Sequence, residues 1–123
     1  MAVRLVTLAF NSGRQEDMVA FYRSLGAELR AKQVSKGGHS YQGNLGNLEI
    51  TIYSFARREA VAAPNFSMRL EVDEIDSTME RVRSCAGVQV VMDIEMMPDG
   101  KKAIVLDPDG HSVEIVEAWT TEG

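Results

Sequence analysis

Asp107-Pro108-Asp109-Gly110-His111-Ser112-Val113-Glu114-Ile115 decides how this chain is read. Proline fixes φ, aspartate supplies local hydrogen bonds and glycine accepts left-handed backbone, so Asp107 to Gly110 is a tight turn. The Val-Glu-Ile that follows alternates as a strand does. A near-copy, Leu48-Glu49-Ile50, stands 65 residues earlier, and Arg23-Ser24 recurs 60 residues on as Arg83-Ser84. A repeat at this spacing means two similar halves. It also places one glutamate, Glu49 or Glu114, at the equivalent point of each half.

Working outward, each half reads strand, helix, then three strands. Val3 to Phe10 is a strand stopped by Asn11-Ser12-Gly13. Ser12 and Gln15 have capping-box spacing, and Met18, Tyr22 and Leu25 form one apolar stripe that ends at Gly26. Leu29–Val34, His39–Gln42 and Leu48–Tyr53 complete the first half, with Gly37-Gly38 and Gly43 to Gly46 as turns. Phe55 to Asn65 is a connection with room for a helical turn. The second half repeats the order. Ser67–Val72 is a strand, and a helix from about Asp76 sets Ile75, Met79 and Val82 along one side before Gly87. Strands follow at Val88–Met97, Lys102–Leu106 and Ser112–Val116.

This order, with an Asp-Pro-Asp-Gly turn leading into Val-Glu-Ile and with Phe21-Tyr22 followed by Leu25-Gly26, resembles the vicinal oxygen chelate superfamily. Glyoxalase I, bleomycin-resistance proteins, fosfomycin-resistance enzymes and extradiol dioxygenases belong to it. The resemblance covers nearly the whole chain. It implies an α+β fold of two βαβββ modules whose sheets curl around a cavity, with helices on the outer face, often as a homodimer. Residues 1–123 are then one glyoxalase-like domain, with module one at about 1–54, the connection at 55–65 and module two at about 66–118.

Period-two alternation predicts which side chains face that cavity. Leu48, Ile50 and Ile52 lie under a helix, leaving Glu49, Thr51 and Tyr53 opposite. Phe66, Met68, Leu70 and Val72 leave Ser67, Arg69 and Glu71. The last strand offers Glu114 with Ser112 and Val116. Gln89, Val91, Asp93 and Glu95 join this face, opposite Val88, Val90, Met92 and Ile94. The expected ligand-binding set is therefore Glu49, Thr51, Tyr53, Ser67, Arg69, Glu71, Asp93 and Glu114, on a polar and acidic wall. The alternative reading is an ordinary solvated sheet face.

Metal-using relatives commonly take His from the first strand of a module and Glu from the last. Glu49 and Glu114 match the glutamates, but the histidine positions fall on Leu5 or Thr7 and near Ser67. Hydroxyls and carboxylates make a poor site for zinc or nonheme iron, which favour imidazole or thiolate. No cofactor is favoured. A divalent metal such as magnesium or manganese on Glu49 and Glu114 is the alternative. His39 and His111 read as exposed turn residues, and the single Cys85 as a packed thiol that excludes an intrachain disulfide. Trp119 is either a stacking surface or an anchor for the tail.

Composition narrows the function. The 123 residues are 45% hydrophobic, enough for one compact core. A net charge of −5 argues against nucleic acid as a partner, because phosphate binders concentrate Lys and Arg. The opening Met1 to Phe10 lacks the features of a signal peptide, and no apolar run reaches membrane-span length, so a cytoplasmic protein with no membrane partner is expected. The leading function is a small-molecule binder resembling bleomycin-resistance proteins, its ligand cationic or aromatic. The alternative is a metal-dependent lyase, isomerase or dioxygenase using Glu49 and Glu114. A third reading is metal-free acid-base chemistry by Glu71 or Glu114 with Arg69. Whether the chain is an enzyme stays open at this point.

Overall fold

The computed structural model describes residues 2–33, 39–54 and 67–119. The chain divides into two compact units, Met1–Glu59 and Ala60–Gly123. In the first, β1 (Thr7–Ser12), α1 (Gln15–Ser24), β2 (Glu28–Gln33), β3 (His39–Leu45) and β4 (Leu48–Ser54) form a four-stranded sheet in the order β1-β4-β3-β2. In the second, β5 (Ser67–Glu71), α2 (Ile75–Arg83), β6 (Gln89–Met97), β7 (Gly100–Leu106) and β8 (Ser112–Ala118) repeat it as β5-β8-β7-β6. Both sheets are mixed. β1 runs parallel to β4 and β5 parallel to β8, and the other neighbours are antiparallel. A parallel pair needs a crossover, which the helix and two returning strands supply. The result is the α+β fold of two βαβββ modules that the sequence predicts.

Each helix covers one face of its own sheet. Met18, Phe21 and Tyr22 of α1 are fully buried together with Ile50 and Ile52 of β4. Phe10 stacks on Tyr22 at 5.5 Å between ring centroids, and Phe21 meets Tyr22 edge-on at 4.8 Å. In the second unit Ile75, Met79 and Val82 of α2 are buried with Ala103, Val105, Val113 and Ile115, all without exposed surface. Burying side chains of this size contributes about 1.5–3 kcal/mol each, so these clusters dominate the stability of each unit.

Several local expectations change. The first strand begins at Thr7 rather than Val3, and Val3, Leu5 and Val6 stay exposed. β4 starts at Leu48 and Thr7 stands opposite Glu49, so the parallel ladder runs out just before Thr7. Ser12 belongs to β1, and Arg14 is the residue preceding α1. Ser12 Oγ accepts the Arg14 N–H at 2.9 Å, while the Gln15 amide donates to the carbonyls of His39 and Ile52. The capping box is thus replaced by a cross-link from helix to sheet. Cys85 lies beyond α2, partly exposed, with Sγ 3.5 Å from the Arg81 carbonyl, rather than in the core. The connection expected at 55–65 lies outside the described residues.

Candidate functional site

Strand register sorts the face of each sheet that its helix leaves uncovered, because directly paired residues project to the same side. In the first unit Thr7 pairs with Glu49, Ala9 with Thr51 and Asn11 with Tyr53. Across β3 the same row carries Ser40, Gln42 and Asn44, and β2 adds Glu28, Arg30 and Lys32. Glu49, Thr51 and Tyr53 therefore share a face, as alternation predicts. Thr51 is buried, whereas Tyr53 is 42% exposed.

Glu49 is held by neutral donors. The Thr7 hydroxyl and the Gln42 amide, the latter at 3.0 Å, both donate to its Oε1. These two hydrogen bonds, with a smaller contribution from the Lys32 charge, hold its carboxyl below the usual carboxylate value. Among the described residues, no donor bonds its other oxygen.

In the second unit Ser67 pairs with Ser112, Arg69 with Glu114 and Glu71 with Val116. Arg69, not Ser67, is thus the register equivalent of Thr7. Lys102 comes from the other side, across β7. Glu114 Oε1 lies 3.3 Å from the Arg69 guanidinium and 3.1 Å from Lys102 Nζ. One glutamate is clasped by hydroxyl and amide, and its repeat by two cations.

Asp93 departs from the predicted face. β6 slips its register between Val90 and Met92 and again between Met92 and Glu95. Each irregularity shifts the alternation. Gln89 and Glu95 keep the uncovered face, opposite Leu106 and Lys102, but Met92 joins them opposite Ile104. Asp93 is carried to the helix side, where it pairs with Arg83 of α2. Each face is also less acidic than expected: Arg30 and Lys32 offset Glu28 and Glu49 in the first unit, and Arg69 and Lys102 offset much of the charge of Glu71, Glu95 and Glu114 in the second. Sequence alternation missed Lys102 and Gln42, although both strands alternate regularly and their parity was readable.

A pocket of about 320 Å³ opens at one end of the second unit. Arg69, Glu71 and Lys102 supply its polar wall, and Met97, Val116 and Ala118 its apolar wall. Trp119 anchors the neighbouring tail, its indole N–H donating to the Met97 carbonyl at 3.1 Å.

Neither histidine stands with the two glutamates. His39 begins β3, exposed. His111 is not an exposed turn residue, since its side chain is only 17% exposed and its Nδ1 lies 2.9 Å from Asp107. Among the described residues, no three His, Cys, Asp or Glu side chains gather closely enough to hold a metal ion.

Residues 4–115 match the family model of the Glyoxalase/Bleomycin resistance protein/Dioxygenase superfamily. No curated protein matches the chain. Among solved structures, a glyoxalase-related enzyme from Fulvimarina pelagi aligns with a TM-score of 0.73 at 18% identity, covering 99% of this chain and 94% of that one. TnmS3, an antibiotic binding protein from Streptomyces sp. CB03234, aligns at 0.67 and 22% identity, covering 97% and 99%. A glyoxalase/bleomycin resistance protein/dioxygenase family enzyme from Burkholderia phytofirmans PsJN aligns at 0.71 and 14%, covering 95% and 100%. At these identities the likeness is one of fold.

Proposed function

We propose, from the premise that this chain belongs to the glyoxalase/bleomycin resistance protein/dioxygenase superfamily, that it binds a small organic molecule without the family's His/Glu metal set. The observation that carries this reading is what surrounds Glu49 and Glu114. Arg69 and Lys102 already neutralise Glu114, and a divalent cation approaching it would meet two like charges. Beside Glu49 stand a hydroxyl and an amide, which are weak ligands for zinc or iron. The residues present do not fit such a metal.

The same geometry favours binding over proton transfer. An efficient general base has a pKa near the working pH, whereas Thr7 and Gln42 push Glu49 the other way. A carboxylate kept ionised, with one oxygen open and Tyr53 on the same face, suits a ligand that brings a cationic or N–H donor group and an aromatic surface. That TnmS3 is an antibiotic binding protein supports a binding role. Thr51 shares that face of the first unit, and Ser67, Arg69 and Glu71 line the equivalent face of the second.

The proposal extends to a cytoplasmic homodimer. None of the described helices is long and apolar enough to cross a membrane. β6 ends its sheet as a nine-residue edge on which Val90, Val91 and Met96 are exposed, and edges of this kind are usually paired or covered.

The test is a thermal-shift screen of cationic, aromatic and glycopeptide compounds on protein stripped with EDTA. The expected result is stabilisation that is unchanged when metal is restored. A compound present at 100 times its Kd adds about 2.7 kcal/mol of stability, well within reach of the assay. No stabilisation by any compound, or stabilisation only after metal is added, would overturn the reading.

A further inference from the structure

In the pocket of the second unit the charged groups differ in what they engage. The cations, Arg69 and Lys102, both turn to Glu114, at 3.3 and 3.1 Å from its Oε1. The carboxylates of Glu71 and Asp99 have no hydrogen-bond or ion-pair partner among the described residues. Strand ends account for the difference. β5 ends at Glu71, β8 ends at Ala118 and β7 begins at Gly100, directly after Asp99, so both carboxylates stand at one rim of the sheet. Glu114 lies further in, opposite Arg69, and the Lys102 side chain reaches it from beside Val116.

Two other charged residues turn away from this face. Lys101 and Glu117 are cross-strand partners that both meet α2, Lys101 through Asp76 at 3.2 Å and Glu117 by accepting the Ile75 N–H at 2.7 Å. Arg69 and Lys102 therefore stand against Glu71, Asp99 and Glu114, which leaves one negative charge in excess. Glu95, opposite Lys102, has the same sign. The turn that carries Asp99 is fixed, since the Trp119 N–H donates to the Asp99 carbonyl at 3.2 Å and its indole to the Met97 carbonyl at 3.1 Å. Met97, Val116 and Ala118 supply apolar contact. At about 320 Å³ the space lies near the small end of the roughly 300–1,000 Å³ range of ligand pockets, which suits a single-ring body.

We infer that this pocket takes a small single-ring amine bearing a neutral oxygen, its ammonium held by Glu71 and Asp99 and its oxygen by Arg69 and Lys102. The inference deepens the small-molecule reading and rests on it. An ammonium balances the excess charge and makes charge-assisted hydrogen bonds to carboxylates that have no other partner. A carboxylate in its place would meet Glu71 and Asp99 as like charges and compete with Glu114 for the cations. A hydroxyl or carbonyl oxygen needs neither displacement, because guanidinium has five N–H donors and ammonium three, more than Glu114 Oε1 can take.

The test compares four single-ring probes at neutral pH by calorimetric titration, with amide chemical shifts locating the site. They are phenylglycinol, which has the amine and the hydroxyl; α-methylbenzylamine, which lacks the hydroxyl; phenylethanediol, which lacks the amine; and the anion mandelate. Phenylglycinol is expected to shift the amides around Glu71 and Asp99 and to bind about tenfold or more tightly than the diol or mandelate, with α-methylbenzylamine between. Raising the salt concentration should weaken it. Glu71→Gln and Asp99→Asn each weaken phenylglycinol about tenfold and leave the diol unchanged, which a merely structural role of either residue would not do. Equal binding of amine and diol, tighter binding of mandelate, full affinity in both variants, or shifts confined to the surroundings of Glu49 overturns the inference. In each of these cases stabilisation by any compound of the broader screen leaves the small-molecule reading standing, whereas a screen without any stabilising compound removes both.

Discussion

Asp107→Ala is expected to lower folding stability by about 3–5 kcal/mol, the usual cost of removing one partner from a buried charged pair. The Asp107 side chain is wholly buried. Its Oδ1 accepts the N–H groups of Asp109 at 3.0 Å and His111 at 2.9 Å, and its Oδ2 faces His111 Nδ1. The backbone closes the same turn, with the His111 carbonyl accepting from Asp107 N and the Asp107 carbonyl from Gly110 N. Alanine leaves these donors without their acceptor at the entrance to β8, the strand that carries Glu114. Asp107→Asn, which keeps an acceptor of the same shape, should lose less. Urea denaturation of the three proteins measures the order.

The same pair gives stability a dependence on pH. The hydrogen bond to Asp107, aided by the charges of Asp107 and Asp109, raises the His111 pKa above its ordinary value of about 6.5. The folded state therefore holds the proton more tightly than the unfolded chain. This contribution is full below about pH 6.5 and is lost as pH rises through the raised folded value. Asp107→Ala should flatten stability across that window.

Gly43→Ala is the second large effect, at least about 3 kcal/mol, the upper end of ordinary overpacking costs. A Cβ at Gly43 would sit 1.7 Å from the Glu28 carbonyl oxygen. The obstacle is backbone, so no side chain can swing away, and β2 must separate from β3 where Gly43 pairs with Leu29. Gly26→Ala is the control. Gly26 has φ of +101° but nothing within 4 Å of an added Cβ, so only conformational strain of about 1–2 kcal/mol applies. Thermal denaturation should rank Gly43→Ala well below Gly26→Ala. The reverse order would show that left-handed strain, not the strand contact, is the greater cost.

These two sites also mark how far the sequence could be read. The Asp107–Gly110 turn announces itself, since proline, aspartate and glycine each have a local reason to be there. Nothing local reveals that Asp107 reaches His111 and is sealed from water. Alternation worked in Leu48–Ser54 and Ser112–Ala118, where one face is firmly buried and the ladder is regular. It failed in β6, because two register slips change the side on which Met92 and Asp93 emerge, and a slip has no fixed sequence signature. The acidic wall was overestimated for a related reason. The partners of Glu49 and Glu114 lie 42 and 7 residues from the one, and 45 and 12 from the other, along the chain. Only strand pairing brings Thr7, Gln42, Arg69 and Lys102 to them.

The central proposal is that both repeated glutamates are engaged by the protein's own side chains, Glu49 by hydrogen bonds and Glu114 by ion pairs, rather than by a metal ion. Titrating EDTA-stripped protein with Mn²⁺ and following amide resonances tests it at each carboxylate separately, because a paramagnetic ion broadens only its neighbours. The account predicts no selective broadening around Thr7, Gln42 and Glu49, or around Arg69, Lys102 and Glu114, at one equivalent of Mn²⁺. Broadening centred on Glu49 or Glu114 at one equivalent, abolished by the corresponding change to glutamine, would contradict it.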